Sequence, residues 1–213
     1  SDKDKTFWGV RDSKVFDQVV REIPAAGEWL TLGADPITKV HSMAGLLNRR
    51  RSLVDEGGVI IKGFHMIGDA LICTNPLYGR GCSTGFWQAH LLTKAIEQNR
   101  DDSMIQAEVF AEDIEEHIIP WYQASVDSDR SNRELENGVP SERANRKSIL
   151  QNGLMPATQT SAKVWRAFMR MINLLAPPKS LNDPEIMADV LEMWEKRDER
   201  PAPPPLGPER SEM

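Results

Sequence analysis

Two cysteines in 213 residues, Cys73 and Cys82, are too few for a disulfide framework. A reducing, cytoplasmic setting is therefore expected. No apolar run reaches the length that spans a bilayer, and the opening SDKDKTFWGV lacks the charged start and apolar stretch of a signal peptide. Positive charge is in deficit: 26 Lys and Arg against 32 Asp and Glu leave a net charge of −6. That argues against nucleic acid or an anionic membrane as the main partner, since both reward a basic surface. Basic residues are not interleaved with aromatics either, so no base-stacking platform is expected. The histidines, His41, His65, His90 and His117, show no ligand spacing such as His-x-x-x-His, and no metal site is expected. No internal repeat is found.

The hydrophobic share of 40% suffices for a core, and the length suits one domain or one and a half. Phe16, Val19, Val20 and Ile23 have helical spacing until Pro24 interrupts. From Pro36 to Ile67 the short apolar runs PITKV, GGVIIKG and FHMIG are divided by glycines and predict strands. Asp55-Glu56-Gly57-Gly58 predicts a turn. The strand ending at Ile67 would deliver Gly68 and Asp69 to the end of a sheet.

Beyond Gly81 the pattern is helical. Phe86, Ala89, Leu92 and Ile96 predict one buried face, and Ala107, Phe110, Ile114 and Ile118 a second helix that Pro120 ends. Residues 127–148 have no apolar stripe and predict a long solvated loop with one helical turn at most. Val164, Phe168, Met171, Ile172 and Leu175 restore the helical period. Asp183 as N-cap, Pro184 at the first position and Glu185 in the first turn predict another helix start. The proline-rich end, PAPPPLGPERSEM, predicts an extended or disordered tail. Trp121, Tyr122, Trp165 and Trp194 read as packing residues, and Asn48-Arg49-Arg50-Arg51 as a charged strand edge, with Arg50 or Arg51 beside a cofactor or an anionic substrate as the alternative reading. The organisation expected is residues 1–98 carrying strands and the Gly-Asp motif, a helical region 99–200, and the tail 201–213. Helices outnumber strands too heavily for a self-sufficient parallel sheet, so the expectation is an α-rich α/β fragment.

The stretch GDALICTNPLYGRGCSTGFWQAH, Gly68 to His90, concentrates the candidate chemistry. Asp69 offers two acceptor oxygens suited to sugar or ribityl hydroxyls. Asn75-Pro76 stiffens the loop, and Gly79 and Gly81 let backbone approach a ligand closely. A helix starting near Cys82 or Ser83 directs unpaired N–H groups and partial positive charge at the same space, which favours an electron-rich ring that gains negative charge on reduction. The plain alternative is a tight turn before a helix, and the spacing by itself does not name a cofactor. Cys82 has two readings: a thiol activated at a helix start, or a small residue fitted under a ring.

This stretch resembles the second flavin-binding motif of FAD-dependent monooxygenases of the para-hydroxybenzoate hydroxylase type and of the related flavin-dependent halogenases. The matching residues are Gly68, Asp69 and Ala70, then Pro76, then Gly79, Gly81, Cys82 and Ser83. The resemblance implies the C-terminal part of an FAD-binding Rossmann-like domain, with Asp69 on the ribityl or pyrophosphate portion of FAD. It places the backbone of Gly81, Cys82 and Ser83 at the flavin pyrimidine ring and Pro76 on the reaction face. It further implies oxygen transfer to a small organic substrate, with NAD(P)H or a partner flavin reductase supplying electrons. The family's Gly-x-Gly-x-x-Gly cradle for the pyrophosphate is absent ahead of Gly68. With Ser1 in place of an initiating methionine, the expectation is a chain that lacks its front half. Two alternatives stay open: a flavin-dependent halogenase, and a non-catalytic helical interaction module.

Overall fold

The computed structural model describes residues 5–43, 47–139 and 141–201. The chain divides into two compact units, one made of residues 1–45 with 200–213 and the other of residues 46–199.

In the smaller unit a 3-10 turn, Lys5–Arg11, precedes α1 (Ser13–Glu22) and α2 (Pro24–Thr31). Asp12 caps α1 by accepting from the Lys14 and Val15 amides at 2.9 and 3.3 Å. Pro24 takes the first position of α2, where its missing N–H costs nothing. Gly27 is obligatory at the join: a Cβ there would lie 2.5 Å from the Arg21 carbonyl oxygen. The strand expected at PITKV is absent. Residues 36–40 are irregular, and Ile37 is 97% exposed. An apolar β-branched run forms a strand only when another strand pairs with it, and none does here.

The larger unit has two separate two-stranded ribbons. In one, β1 (Arg49–Arg50) pairs antiparallel with β4 (Ile72–Cys73); in the other, β2 (Val54–Asp55) pairs with β3 (Gly58–Val59). The expected turn at Glu56-Gly57 joins β2 to β3. The Asp55 carboxylate accepts from the Gly57 amide at 2.8 Å, and Gly58 takes φ +97°. The strand expected over 64–67 does not form: Ile67 is extended but unpaired, and a 3-10 turn, Gly68–Ala70, follows it. Among the described residues every strand pairing is antiparallel, so the fold is α-rich with a few short strands.

The remainder is helical: α3 (Gly81–Gln98), α4 (Ser103–His117), α5 (Ile119–Glu136), α6 (Glu142–Ile149), a π turn (Leu150–Leu154), α7 (Met155–Thr160), α8 (Ala162–Ile172) and α9 (Pro184–Glu195). None of these helices is long and apolar enough to cross a membrane. Two apolar clusters hold them. Leu71, Ile72, Leu91, Phe110, Ile114 and Ile118 join β4 to α3 and α4, while Leu154, Val164, Leu181, Ile186 and Val190 join the later helices. The expected α4 face is buried as read. Asp183 accepts from the Glu185 amide at 2.9 Å, with Pro184 opening α9.

Further expectations need correction in the helical part. The buried face of α3 is Thr84, Gln88, Leu91 and Ala95, while Phe86 is 78% exposed. Pro120 does not end α4, which stops at His117; it lies in the first turn of α5. Residues 127–148 are not a long loop, because α5 continues to Glu136 and α6 begins at Glu142. Past Trp121 the buried positions of α5 are serines. Ser125 and Ser131 satisfy their own hydroxyls on the Trp121 and Asp127 carbonyls at 3.1 and 2.8 Å, so the inward face carries no apolar stripe to read. Trp165, read as packing, is half exposed, whereas Trp121 is fully in the core. The expected tail lies, beyond Pro201, outside the described residues.

Candidate functional site

The site is built on two left-handed glycines, Gly68 (φ +60°) and Gly79 (φ +61°), a conformation that costs other residues about 1–2 kcal/mol. Gly68 turns the chain out of the extended segment 64–67 so that Asp69 projects from a single 3-10 turn. Two contacts fix this turn. The Gly68 amide donates to Gln88 Oε1 at 2.6 Å, and Arg51 Nη1 donates to the Ala70 carbonyl at 2.9 Å. Gln88 is fully buried on α3, and its Nε2 has no hydrogen-bond partner among the described residues.

The second half of the site is the loop into α3. Asn75 accepts from the Leu77 amide at 3.1 Å, Pro76 opens a 3-10 turn through Tyr78, and Gly79 closes it. The chain then enters α3 at Gly81, one position before the expected start. No side chain caps α3 at Arg80. The Thr84 amide donates to the Arg80 carbonyl at 2.9 Å, and the N–H groups ahead of it form the positive end of an 18-residue helix.

These two halves meet at an open groove of about 510 Å³. Gly68 and Asp69 form one side and Gly81 and Cys82 the other, with Gly85 and the exposed ring of Phe86 continuing along α3. A Cβ placed on Gly81 would stand 3.8 Å from Asp69 Oδ1, so a carboxylate oxygen lies close to the uncapped helix start. Of the candidate residues, Gly68, Asp69, Gly81 and Cys82 therefore share one groove. Ala70 turns its carbonyl to Arg51, Pro76 and Gly79 shape the adjoining loop, and Ser83 is exposed on α3 away from the groove lining.

The structure adds residues that the motif does not contain. Asp129, in the middle of α5, accepts from Asn48 Nδ2 at 2.6 Å, Asn75 Nδ2 at 3.1 Å and the Tyr78 hydroxyl at 3.1 Å. Asn48 Oδ1 in turn accepts from the Asn75 amide at 2.9 Å. The loop that carries Pro76 is thus tied to α5 and to the residue before β1. Burial pushes the Tyr78 phenol above its ordinary value, and the charge and hydrogen bond of Asp129 add to the rise; a Ser128 hydrogen bond and the Arg80 charge oppose it. In the sequence, Asp129 sat in a segment read as solvated loop, and only its helical placement reveals it.

Arg50, His65 and His117 have structural partners. Arg50 pairs with Glu115, His65 meets the Phe110 ring edge-on at 6.1 Å, and His117 stacks on Trp87 at 5.8 Å. Among the described residues no three His, Cys, Asp or Glu side chains converge on a common point. Cys82 is exposed at the groove and Cys73 is half-buried on β4; neither forms a disulfide. No protein-family model matches this chain, and no curated protein matches it.

Proposed function

We propose that the groove is the flavin-facing part of an FAD site, and that the protein acts as an FAD-dependent oxidoreductase of the monooxygenase class. The observation that carries this reading is the meeting of Asp69 with the uncapped, glycine-lined start of α3 across one open groove. The donor set suits the group. A carboxylate accepts from hydroxyls on a ribityl chain, and backbone N–H groups at a helix start favour a ring edge that gains negative charge. Gly81 and Gly85 leave the helix without side chains where a flat ring would approach. FAD, when bound, supplies the electron transfer and oxygen chemistry. The chain's own residues would hold it: Asp69 on the ribityl or pyrophosphate portion and the backbone of Gly81 and Cys82 at the pyrimidine edge, with Pro76 on the adjoining loop toward the reaction face and Ser83 outside the groove lining. A small organic substrate, with NAD(P)H or a flavin reductase as electron source, completes this reading. A halogenase would use the same groove.

The second reading is a helical interaction module. The exposure of Phe86, with Ile67 beside it on the groove, favours it, because a protein partner would cover that apolar rim. FAD titration of the complete protein, followed by flavin absorbance and fluorescence, separates the two. Saturable binding is expected, and Asp69→Ala should weaken it about 10- to 150-fold, the equivalent of a lost hydrogen bond to a charged group at about 1.5–3 kcal/mol. Unchanged affinity in that variant removes Asp69 from the site. No FAD binding together with retained partner binding favours the interaction module.

A further inference from the structure

The net charge of −6 conceals a segregation along the chain. No Asp or Glu occurs from residue 143 to residue 182, although seven Lys and Arg do. All 32 acids therefore lie elsewhere, with 19 of the 26 basic residues. A block of one sign in a chain of the other suits a partner of opposite charge. Helix α8 (Ala162–Ile172) occupies the middle of this stretch.

Two apolar lines run along α8. Val164, Phe168 and Met171 form the inner one, packed in the cluster of the later helices. Trp165, Met169 and Ile172 form the outer one, since seven residues make almost two turns. Trp165 is half exposed, Ile172 is 43% exposed, and Leu175, just past the helix end, is 67% exposed. Arg166 and Arg170 border the outer line, one turn apart and both exposed. Among the described residues no carboxylate pairs with either. Lys163 differs, because Glu185 and Asp189 of α9 hold it at 3.9 and 3.6 Å. The outer line and its two arginines contribute nothing to the Asp69–Gly81 groove, to the groove of about 630 Å³ beside α5, or to the cavities beside α4 and α9.

We propose that the outer face of α8 is a membrane-surface contact that binds anionic phospholipid. Trp165, Met169 and Ile172 enter the headgroup boundary, where an indole ring is at home, and Arg166 and Arg170 meet lipid phosphates. The charge calls for an anionic partner. A protein partner would need pockets to seat its anchoring side chains, and this face offers none, whereas a lipid surface needs none. The same surface repels the acid-rich remainder of the chain, so charge also fixes the orientation, with α8 toward the lipid. At 11 residues α8 lies on a bilayer and does not cross it. None of these residues lines the Asp69–Gly81 groove, so the inference stands apart from the flavin reading.

The test sediments the complete protein with vesicles of phosphatidylcholine alone and of phosphatidylcholine mixed equally with phosphatidylserine. Binding to the mixed vesicles should be tighter by about tenfold or more, and should weaken as salt rises. Arg166→Gln with Arg170→Gln should weaken it about 30-fold, the equivalent of two charges at about 1 kcal/mol each. Arg166→Lys with Arg170→Lys should keep it. Lys94→Gln with Arg100→Gln, the same loss of charge at exposed positions near the end of α3, should leave it unchanged. Brominated phosphatidylcholine in the mixed vesicles should quench the tryptophan fluorescence of the unaltered protein and that of Trp165→Phe far less. Equal binding to both vesicles, equal loss in the two glutamine pairs, or equal quenching with and without Trp165 each overturns the proposal. Polyglutamate binding without vesicle binding assigns the face to an acidic protein and overturns it too. The quenching comparison locates the contact even if the Arg166 and Arg170 glutamine pair does not fold.

Discussion

The side-chain amide of Asn75 donates to the Asp129 carboxylate at 3.1 Å, fastening the turn at Pro76 to the middle of α5. The same carboxylate takes Asn48 and Tyr78, so one side chain from a distant helix holds both ends of the Asn75–Tyr78 turn. The loop that precedes α3 is therefore positioned by a residue 54 places further along the chain.

Asp129→Ala should cost about 2–3 kcal/mol of stability, because three half-buried donors lose a charged acceptor at once. Urea unfolding followed by tryptophan fluorescence measures this. A loss below about 0.5 kcal/mol, the level of ordinary surface substitutions, would mean that the network is not what holds the loop.

Tyr78 gives a pH dependence of definite sign. Its phenol is raised above its ordinary value by burial and by Asp129, so the folded state keeps a proton that the unfolded state releases near pH 10. The stabilisation is complete below about pH 10 and is lost as pH rises through the folded-state value. Near-ultraviolet phenolate absorbance of the folded protein should show one tyrosine titrating late, and Asp129→Ala should move it earlier.

Gln88→Leu removes the acceptor of the Gly68 amide and, with it, the buried Nε2 that has no partner. The two effects oppose each other, so the net loss should be only about 1 kcal/mol. The local effect should be larger: amide hydrogen exchange at Gly68 should speed by tenfold or more while exchange in the α4 core stays unchanged. Equal exchange at Gly68 in both proteins would show that the turn holds without Gln88.

Gly153→Ala should destabilise although alanine is the better helix former. A Cβ at this position would lie 2.6 Å from the Val190 carbonyl oxygen and 3.1 Å from Trp194 Cβ, neither of which is a flexible side-chain end. Overpacking of this kind costs about 1–3 kcal/mol, more than the roughly 0.5–1 kcal/mol that alanine gains over glycine in a helix. A thermal melt of the variant should shift down; a shift up would mean that the π turn and α9 separate freely.

Local chemistry was legible from the residues alone. The stiff Asn75-Pro76, the Asp55–Gly58 turn and the Asp183-Pro184 helix start depend on a few neighbouring φ values and short-range hydrogen bonds, whereas the left-handed φ at Gly68 and Gly79 came only with the structure. The break between α1 and α2 at Pro24 is local in the same way. The α4 face of Ala107, Phe110, Ile114 and Ile118 was equally plain, since its apolar residues repeat without a competing stripe.

What needed a distant partner was decided only by the tertiary structure. The segments at 36–40 and 64–67 carry strand-like residues, yet no neighbouring strand pairs with them, and backbone hydrogen bonds to a neighbour are what make a strand. Phe86 belongs to an apolar pattern but faces the groove, because Gln88, one position off that pattern, is drawn inward by the Gly68 amide. Helix α5 runs on through a polar stretch because its serines satisfy themselves on its own carbonyls and Asp129 gains three donors from elsewhere. The sequence by itself determined the local turns and the helix starts at Pro24 and Asp183-Pro184, but not the starts of α5 and α6. The long-range contacts decided which faces are buried and which residues stand around the groove, since burial and hydrogen-bond satisfaction depend on segments far apart in the chain.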